Sequence, residues 1–446
     1  MRIEFYFDFS CPYAYIATTQ IEALAGRYGA ELIWRPMLLG GVFRGTGAGD
    51  SAMETVGPAK ARHNLWDMAR WAERYGVALT MPKGHPMRTL RALRALCALP
   101  EATWPGVIHA FYRAYWQEGR DITSADVVRD VLGQAGLSTD EVTRGVAAND
   151  DPAIKDDLRR RSEEAVARGV FGAPTMFVDI PGQSKPLMLW GQDRLAMLQA
   201  VLAGWIPGQG APPAAIISAT SAVPALVARA RKPAETDSPD GRPTVDFWYD
   251  FSSPFAYLGS TRIEALASRV GATLRWRPML LGALFKDIGT PNVPLFTMPA
   301  AKRNYLGQDI ARWASFWNVP FRFPGKFPQK TVTALRLALC AGDRAGLLGH
   351  ALFHAMWVDD RDLEDTATLR DILSANGFDA DDMLARTQDP AIKERLIANS
   401  AEAVTGGVFG APTCIVKSAR GQLLFWGQDR FDLVEAALAG WWPERE

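Results

Sequence analysis

Cysteine is scarce in this chain, with four among 446 residues, at Cys11, Cys97, Cys340 and Cys414. So few thiols do not frame a disulfide-held fold, and no Cys-x-x-Cys pair is present. Net charge is missing as well, since Lys+Arg and Asp+Glu both count 49. Without a basic excess or a long basic run, neither nucleic acid nor an anionic membrane is an expected partner. No apolar run approaches about 18 residues, so no membrane-crossing helix is expected. The opening "MRIEFYFDF" has no basic start, apolar stretch or small-residue cleavage site, unlike a signal peptide. These absences point to a cytoplasmic protein with reduced thiols and a small-molecule partner.

What is present is a duplication. "DFSCPYAY" at 8–15 returns as "DFSSPFAY" at 250–257, and "WRPMLLGGVFR" at 34–44 as "WRPMLLGALFK" at 276–286, both 242 positions on. "DPAIKDDL" (151–158) and "GVFGAPT" (169–175) return after 238 positions, and "LWGQDRL" (189–195) after 236. A period this long is that of a whole domain, against about 20–50 residues for solenoid repeats. The expected division is a domain at 1–205, a linker at 206–243 rich in Pro, Ala, Ser and Gly, and a second domain at 244–446. Within the linker, "AIISATSAVPALVARA" has the makings of a short helix.

The second copy sets out the order of elements. "VDFWYDF" alternates apolar Val245, Phe247, Tyr249 and Phe251 with more polar positions, as a strand does. A helix follows, with Ser253 as N-cap, Pro254 in its first turn and Gly271 near its stop. "TLRWRPML" is a second strand, roughly 299–404 is helical in pattern, and two short strands precede a last helix in "DRFDLVEAALAGWW". Each copy is therefore α/β: a thioredoxin-like domain with a helical insertion after its second strand, in tandem. In such folds a cis-proline precedes the third strand, and "APT" supplies one in each copy, at Pro174 and Pro412.

Ser253 and Cys11 occupy the N-cap of the first helix of their copies, where unsatisfied N–H groups and the helix dipole favour negative charge. A cysteine there is expected to ionise below the free value of about 8.5 and to be the most reactive thiol of the chain. A serine there donates a hydrogen bond to a bound thiolate. Capping alone also explains a Ser-Pro helix start, but cysteine is not a preferred cap. The fourth position is Ala14 in one copy and Ala256 in the other, so neither copy can run a dithiol cycle. His350 and His354 have ligand spacing on one helical face, but no further ligand completes a set and no metal is expected.

Together, "FDFSSPFAY", "WRPMLLG", "GVFGAPT" and "WGQDR", in order and twice over, resemble the glutathione-dependent 2-hydroxychromene-2-carboxylate isomerases and the kappa-class glutathione transferases. The resemblance implies a DsbA-like thioredoxin fold, glutathione as cofactor, and an isomerase acting on an aromatic-catabolism intermediate. The alternatives are transferase chemistry, a redox role for Cys11, and a first copy that is a non-catalytic scaffold. It implies that Ser253, and Cys11 in the other copy, face the glutathione sulfur. Ala411 with Pro412, and Ala173 with Pro174, would meet the cysteinyl backbone. Asp429 with Arg430, and Asp193 with Arg194, would hold the γ-glutamyl end, and Lys302 and Lys60 would contact glutathione from the loop after the second strand. The family's asparagine in that loop is replaced by Thr290 and Ala48, with Asn292 nearby as a substitute in the second copy. Relatives are homodimers, so the copies are expected to form an internal pseudo-dimer.

Overall fold

The computed structural model describes residues 1–49, 56–221, 223–228, 242–291 and 293–444. It divides into two units, each built on its own four-stranded mixed sheet. The first unit holds Met1–Val56, Met68–Thr220 and Met298–Leu306, and the second holds Gly57–Asp67, Ser221–Thr297 and Gly307–Glu446. Each unit thus takes one short segment from the opposite repeat.

In the first unit, strand β1 (Arg2–Phe7) leads into helix α1 (Pro12–Arg27) and then strand β2 (Glu31–Pro36). β1 and β2 pair in parallel, with Phe5 opposite Trp34, as a strand–helix–strand crossover requires. A run of helices follows, among them α2 (Pro58–Tyr75), which contributes its residues up to Asp67 to the second unit. Strands β3 (Thr175–Val178) and β4 (Leu187–Trp190) add antiparallel, giving the order β2-β1-β3-β4, and a single 3₁₀ turn leads to α3 (Leu195–Leu202). The second unit repeats the plan. It has β5 (Thr244–Tyr249), α4 (Pro254–Arg269), β6 (Thr273–Pro278), α5 (Ala300–Phe316, whose residues to Leu306 join the first unit), β7 (Thr413–Ser418), β8 (Gly421–Trp426) and α6 (Phe431–Leu438). Its sheet order is β6-β5-β7-β8.

β5 alternates in sequence, yet all six of its residues are buried. Phe247 and Tyr249 pack edge-on to Trp276 on one face. Trp248 lies on the other, in a cluster with Met279, Leu284, Val408, Phe409, Ile415 and Leu424. Helices cover both faces, which is why a central strand of such a sheet carries no exposed side. Asp246, polar and fully buried, reaches Lys417 on the neighbouring strand, 2.6 Å from Nζ to Oδ2. In the linker, Ala214–Thr220 and Val223–Ala228 are short helices, and 229–241 lie outside the described residues. Among the described residues no helix is long and apolar enough to cross a membrane.

Asp250, directly after β5, holds the start of α4 in place. Its carboxylate is buried and accepts hydrogen bonds from Ser252 N (3.0 Å), Thr331 Oγ1 (2.6 Å) and Leu281 N (2.9 Å), while its carbonyl accepts from Ser253 N (3.1 Å). Burial pushes its pKa up, against the pull of those donors. Asp8 does the same in the first unit with Ser10 N and Leu39 N, at 2.9 and 2.7 Å. Replacing Asp250 by Asn sets an amide NH₂ against a backbone N–H or a hydroxyl. Asp250→Asn is expected to lower stability by about 1–3 kcal/mol, read as a shift of the urea unfolding midpoint. An unshifted midpoint would show that the carboxylate contributes nothing net.

Candidate functional site

The second unit brings three pieces of chain together around Ser253. Ser253 caps α4: its Oγ accepts from Ala256 N at 3.2 Å and donates to the carbonyl of Ala411 at 2.9 Å. Ala411–Pro412 is a cis peptide bond, as is Ala173–Pro174 in the first unit. The helix therefore points its free N–H groups and dipole toward the loop before β7, a setting that favours an anion. Pro412 in turn accepts a hydrogen bond from Gly427 N (2.9 Å), which ties this loop to the Trp426–Arg430 turn. Gly427 sits at φ +104°, and a Cβ there would strike Asp429 Oδ1, so only glycine allows the turn.

The third piece is the start of α2. Asp67 takes Arg430 in a bidentate pair, 2.9 Å at both Nε–Oδ1 and Nη2–Oδ2. Arg430 Nη1 also lies 3.0 Å from Asp429 Oδ1. Both Arg430 and Asp67 are buried. Arg430 is thus held by two carboxylates of the protein and sets the position of Asp429. One turn earlier, His63 Nε2 accepts from Trp426 N at 3.3 Å, and its ring packs edge-on to Phe409 and Trp426. Lys60 lies over the Trp426 ring, 4.9 Å from its centroid. Thr290 follows α4 and β6 in this unit, its N–H donating to Phe285 O at 2.8 Å, and Asn292 lies outside the described residues.

The first unit has the same frame with different occupants. Cys11 caps α1 without accepting a capping hydrogen bond, and its Sγ–H donates to Ala173 O at 3.1 Å. Gly191 N donates to Pro174 O (2.9 Å), and Arg194 pairs with Asp193 at 3.0 Å. Lys302 lies 5.3 Å from the centroid of Trp190, and burial lowers its pKa. Tyr305 Oη accepts from Trp190 N at 2.9 Å.

Two expectations change on this geometry. The sequence copies pair Lys302 with Ser253 and Lys60 with Cys11, whereas the structure puts Lys60 in the Ser253 unit and Lys302 in the Cys11 unit. The expected low pKa of Cys11 is also overturned. Burial, with a smaller contribution from the charge of Asp8, pushes its thiol up to about 12, because desolvation outweighs the helix N-terminus. His350 and His354 turn to separate carboxylates, Glu264 at 3.0 Å and Asp359 at 3.1 Å. Among the described residues no group of three His, Cys, Asp or Glu is placed to hold a metal.

Sequence reasoning missed His63, Asp67, Tyr305 and Gln428. Gln428 is 1% exposed, and its Oε1 accepts from Arg262 Nη1 and Trp317 Nε1, both at 3.1 Å. The signal for the first three lay in "KARHNLWD" and "KRNYLGQD", where lysine and aspartate recur seven positions apart in both repeats while His63 alternates with Tyr305.

Comparison with known proteins places these features. The family model described as a DSBA-like thioredoxin domain matches twice, over residues 2–203 and 244–439. A 2-hydroxychromene-2-carboxylate isomerase from Sphingobium xenophagum is 31% identical over 195 residues, covering 44% of this chain and 97% of the relative. Glutathione S-transferase kappa 1 from Caenorhabditis elegans is 26% identical, covering 44% of this chain and 91% of that relative. A solved structure of a 2-hydroxychromene-2-carboxylate isomerase matches with a TM-score of 0.40 at 26% identity, over 44% of this chain and 94% of the other. Carrying two copies of that domain, the chain belongs to the DSBA-like thioredoxin domain family and is similar within it to the 2-hydroxychromene-2-carboxylate isomerases and kappa glutathione transferases.

Proposed function

We propose that this protein is a glutathione-dependent isomerase of the 2-hydroxychromene-2-carboxylate type, acting on an aromatic substrate at the Ser253 site. The observation that carries the reading is the buried Ser253 hydroxyl at a helix N-cap, facing the backbone of a cis-proline loop, with Ala256 where a resolving thiol would stand. The residues fit glutathione by their chemistry. Asp429 suits the γ-glutamyl ammonium, Lys60 a carboxylate, and the backbone of Ala411 the cysteinyl amide. When bound, glutathione supplies a thiol nucleophile that adds to an electron-poor double bond of the substrate and is returned on elimination. Ser253 turns its hydroxyl from Ala411 O to the sulfur, and the N-terminus of α4 favours that sulfur as the anion. Asp67 and Arg430 keep Asp429 in place.

A kappa-like transferase would use the same residues and release the adduct, a reading favoured by the similarity to the kappa enzymes; product analysis separates the two. The burial of Cys11 supports reading the first unit as the non-catalytic half of an internal pseudo-dimer, its thiol packed where the serine stands in the other copy.

Ser253→Ala is expected to stay folded, since loss of a cap costs about 0.5–2 kcal/mol, while turnover with glutathione drops roughly a hundredfold or more, the scale of one well-placed donor. Full activity would return Ser253 to a capping role. In calorimetry, Asp429→Ala is expected to abolish glutathione binding and Asp193→Ala to leave it nearly unchanged. Equal losses would place a working site in each unit. In a short iodoacetamide pulse on the native protein, Cys11 is expected to stay unmodified, read by mass spectrometry. Labelling of Cys11 ahead of Cys97 and Cys340 would revive a redox role.

A further inference from the structure

The two sites differ in the side chain that accepts one backbone hydrogen bond. In both units an aromatic residue of the exchanged segment accepts the backbone N–H of the tryptophan that opens the "WGQDR" turn. In the Cys11 unit the acceptor is the Tyr305 hydroxyl, 2.9 Å from Trp190 N, its ring against Phe171 and Trp190 at 5.4 and 6.1 Å. In the Ser253 unit it is His63 Nε2, 3.3 Å from Trp426 N, its ring against Phe409 and Trp426 at 5.2 and 6.3 Å. The rings hold matching positions 242 residues apart in the chain. A phenol oxygen accepts this bond across the neutral and acidic range. An imidazole nitrogen accepts it only while unprotonated, because the imidazolium carries N–H on both ring nitrogens.

We infer that His63 is a positioning residue of the Ser253 site and makes that site pH-dependent: neutral imidazole fixes the Trp426–Asp429 turn, and its protonation releases it. Uptake of a proton at Nε2 sets a donor against the Trp426 N–H donor in a site that is 2% exposed at His63, so no solvent replaces the lost bond. Gly427 carries the displacement directly to Asp429 on one side and, through its bond to Pro412 O, to the carbonyl of Ala411 that Ser253 meets on the other. Among the described residues, the charged groups on the elements that meet at His63 include Lys60 over the Trp426 ring, the Asp67–Arg430 pair one turn along α2, and Asp429 on the turn itself. The sign is fixed: the arrangement is present while the imidazole is neutral and is lost as pH falls and the ring takes up a proton.

The inference rests on the Ser253 site binding glutathione, and the test has an arm independent of that. In the ligand-free protein, hydrogen exchange at the Trp426 amide is compared between wild type, His63→Tyr and His63→Phe at matched pH. Protection is expected to match between wild type and His63→Tyr at pH about 7.5 and to be lost in wild type alone at pH about 5. His63→Phe is expected to be unprotected at both. In calorimetry with S-methylglutathione, wild type is expected to lose affinity tenfold or more between those two values. His63→Tyr, which copies the residue the chain itself uses in the other unit, should change less than about twofold, and His63→Phe should bind weakly throughout. If wild type and His63→Tyr respond to pH alike, in exchange or in binding, His63 is not the switch. If no variant binds S-methylglutathione at any pH, the glutathione reading fails, and the exchange comparison still decides the role of His63.

Discussion

The bidentate pair between Arg430 and Asp67 is the interaction on which the second unit's site depends. A guanidinium and a carboxylate with side chains 11% and 4% exposed cannot be left single, because breaking such a pair strands a buried charge at a cost of about 3–5 kcal/mol. The pair therefore dictates that α2 lies against the turn after β8. Three consequences follow from that one requirement. Asp429 is held by the same arginine, His63 meets the Trp426 amide a turn earlier, and Lys60 comes over the Trp426 ring. The hydrogen bond from Gly427 to Pro412 then relays the position of the turn to the loop that faces Ser253.

Sulfur and oxygen at one position show how far environment outweighs residue type. Ser253 and Cys11 have nearly the same backbone at their N-caps, φ −97° and ψ 114° against φ −94° and ψ 113°. Both give their proton to the carbonyl before a cis-proline. The hydroxyl also accepts from Ala256 N, which the thiol does not do in its own copy. The backbone N–H groups of Ala14 and Tyr13 favour the Cys11 thiolate, but desolvation outweighs them and the buried thiol stays protonated.

The fold was legible because the duplication printed every element twice and the helix starts at Pro12 and Pro254 carry their own signals. The nominated residues Ser253, Ala411, Asp429 and Arg430 do gather in one unit, since each sits in a motif whose local structure is set by near neighbours. What could not be read was which repeat supplies Lys60 and Lys302. That depends on where a helix goes after it leaves its own sheet, and neither propensity nor periodicity encodes that. The reactivity of Cys11 was misjudged for a related reason. Burial is a tertiary property, and the tetrapeptide around Cys11 advertises only the helix end. The six buried residues of β5 look like an alternating strand until helices are placed on both faces.

The exchange of 57–67 for 298–306 also bears on how the chain reaches its folded state. Asp67 and Arg430 are separated by 363 positions, among the longest closures the chain can make. Domains commonly fold as they emerge from the ribosome, the first before the second is made. Here the leading unit lacks a piece of itself until residue 306 has been synthesised, and the start of α2 has no partner until β8 and the turn after it exist. Loop closure grows only slowly more costly with length, so the final state need not suffer. Its formation is another matter, because contacts so distant in sequence form late. Neither unit therefore has all of its own residues until both repeats have been made, which couples the completion of one to the other.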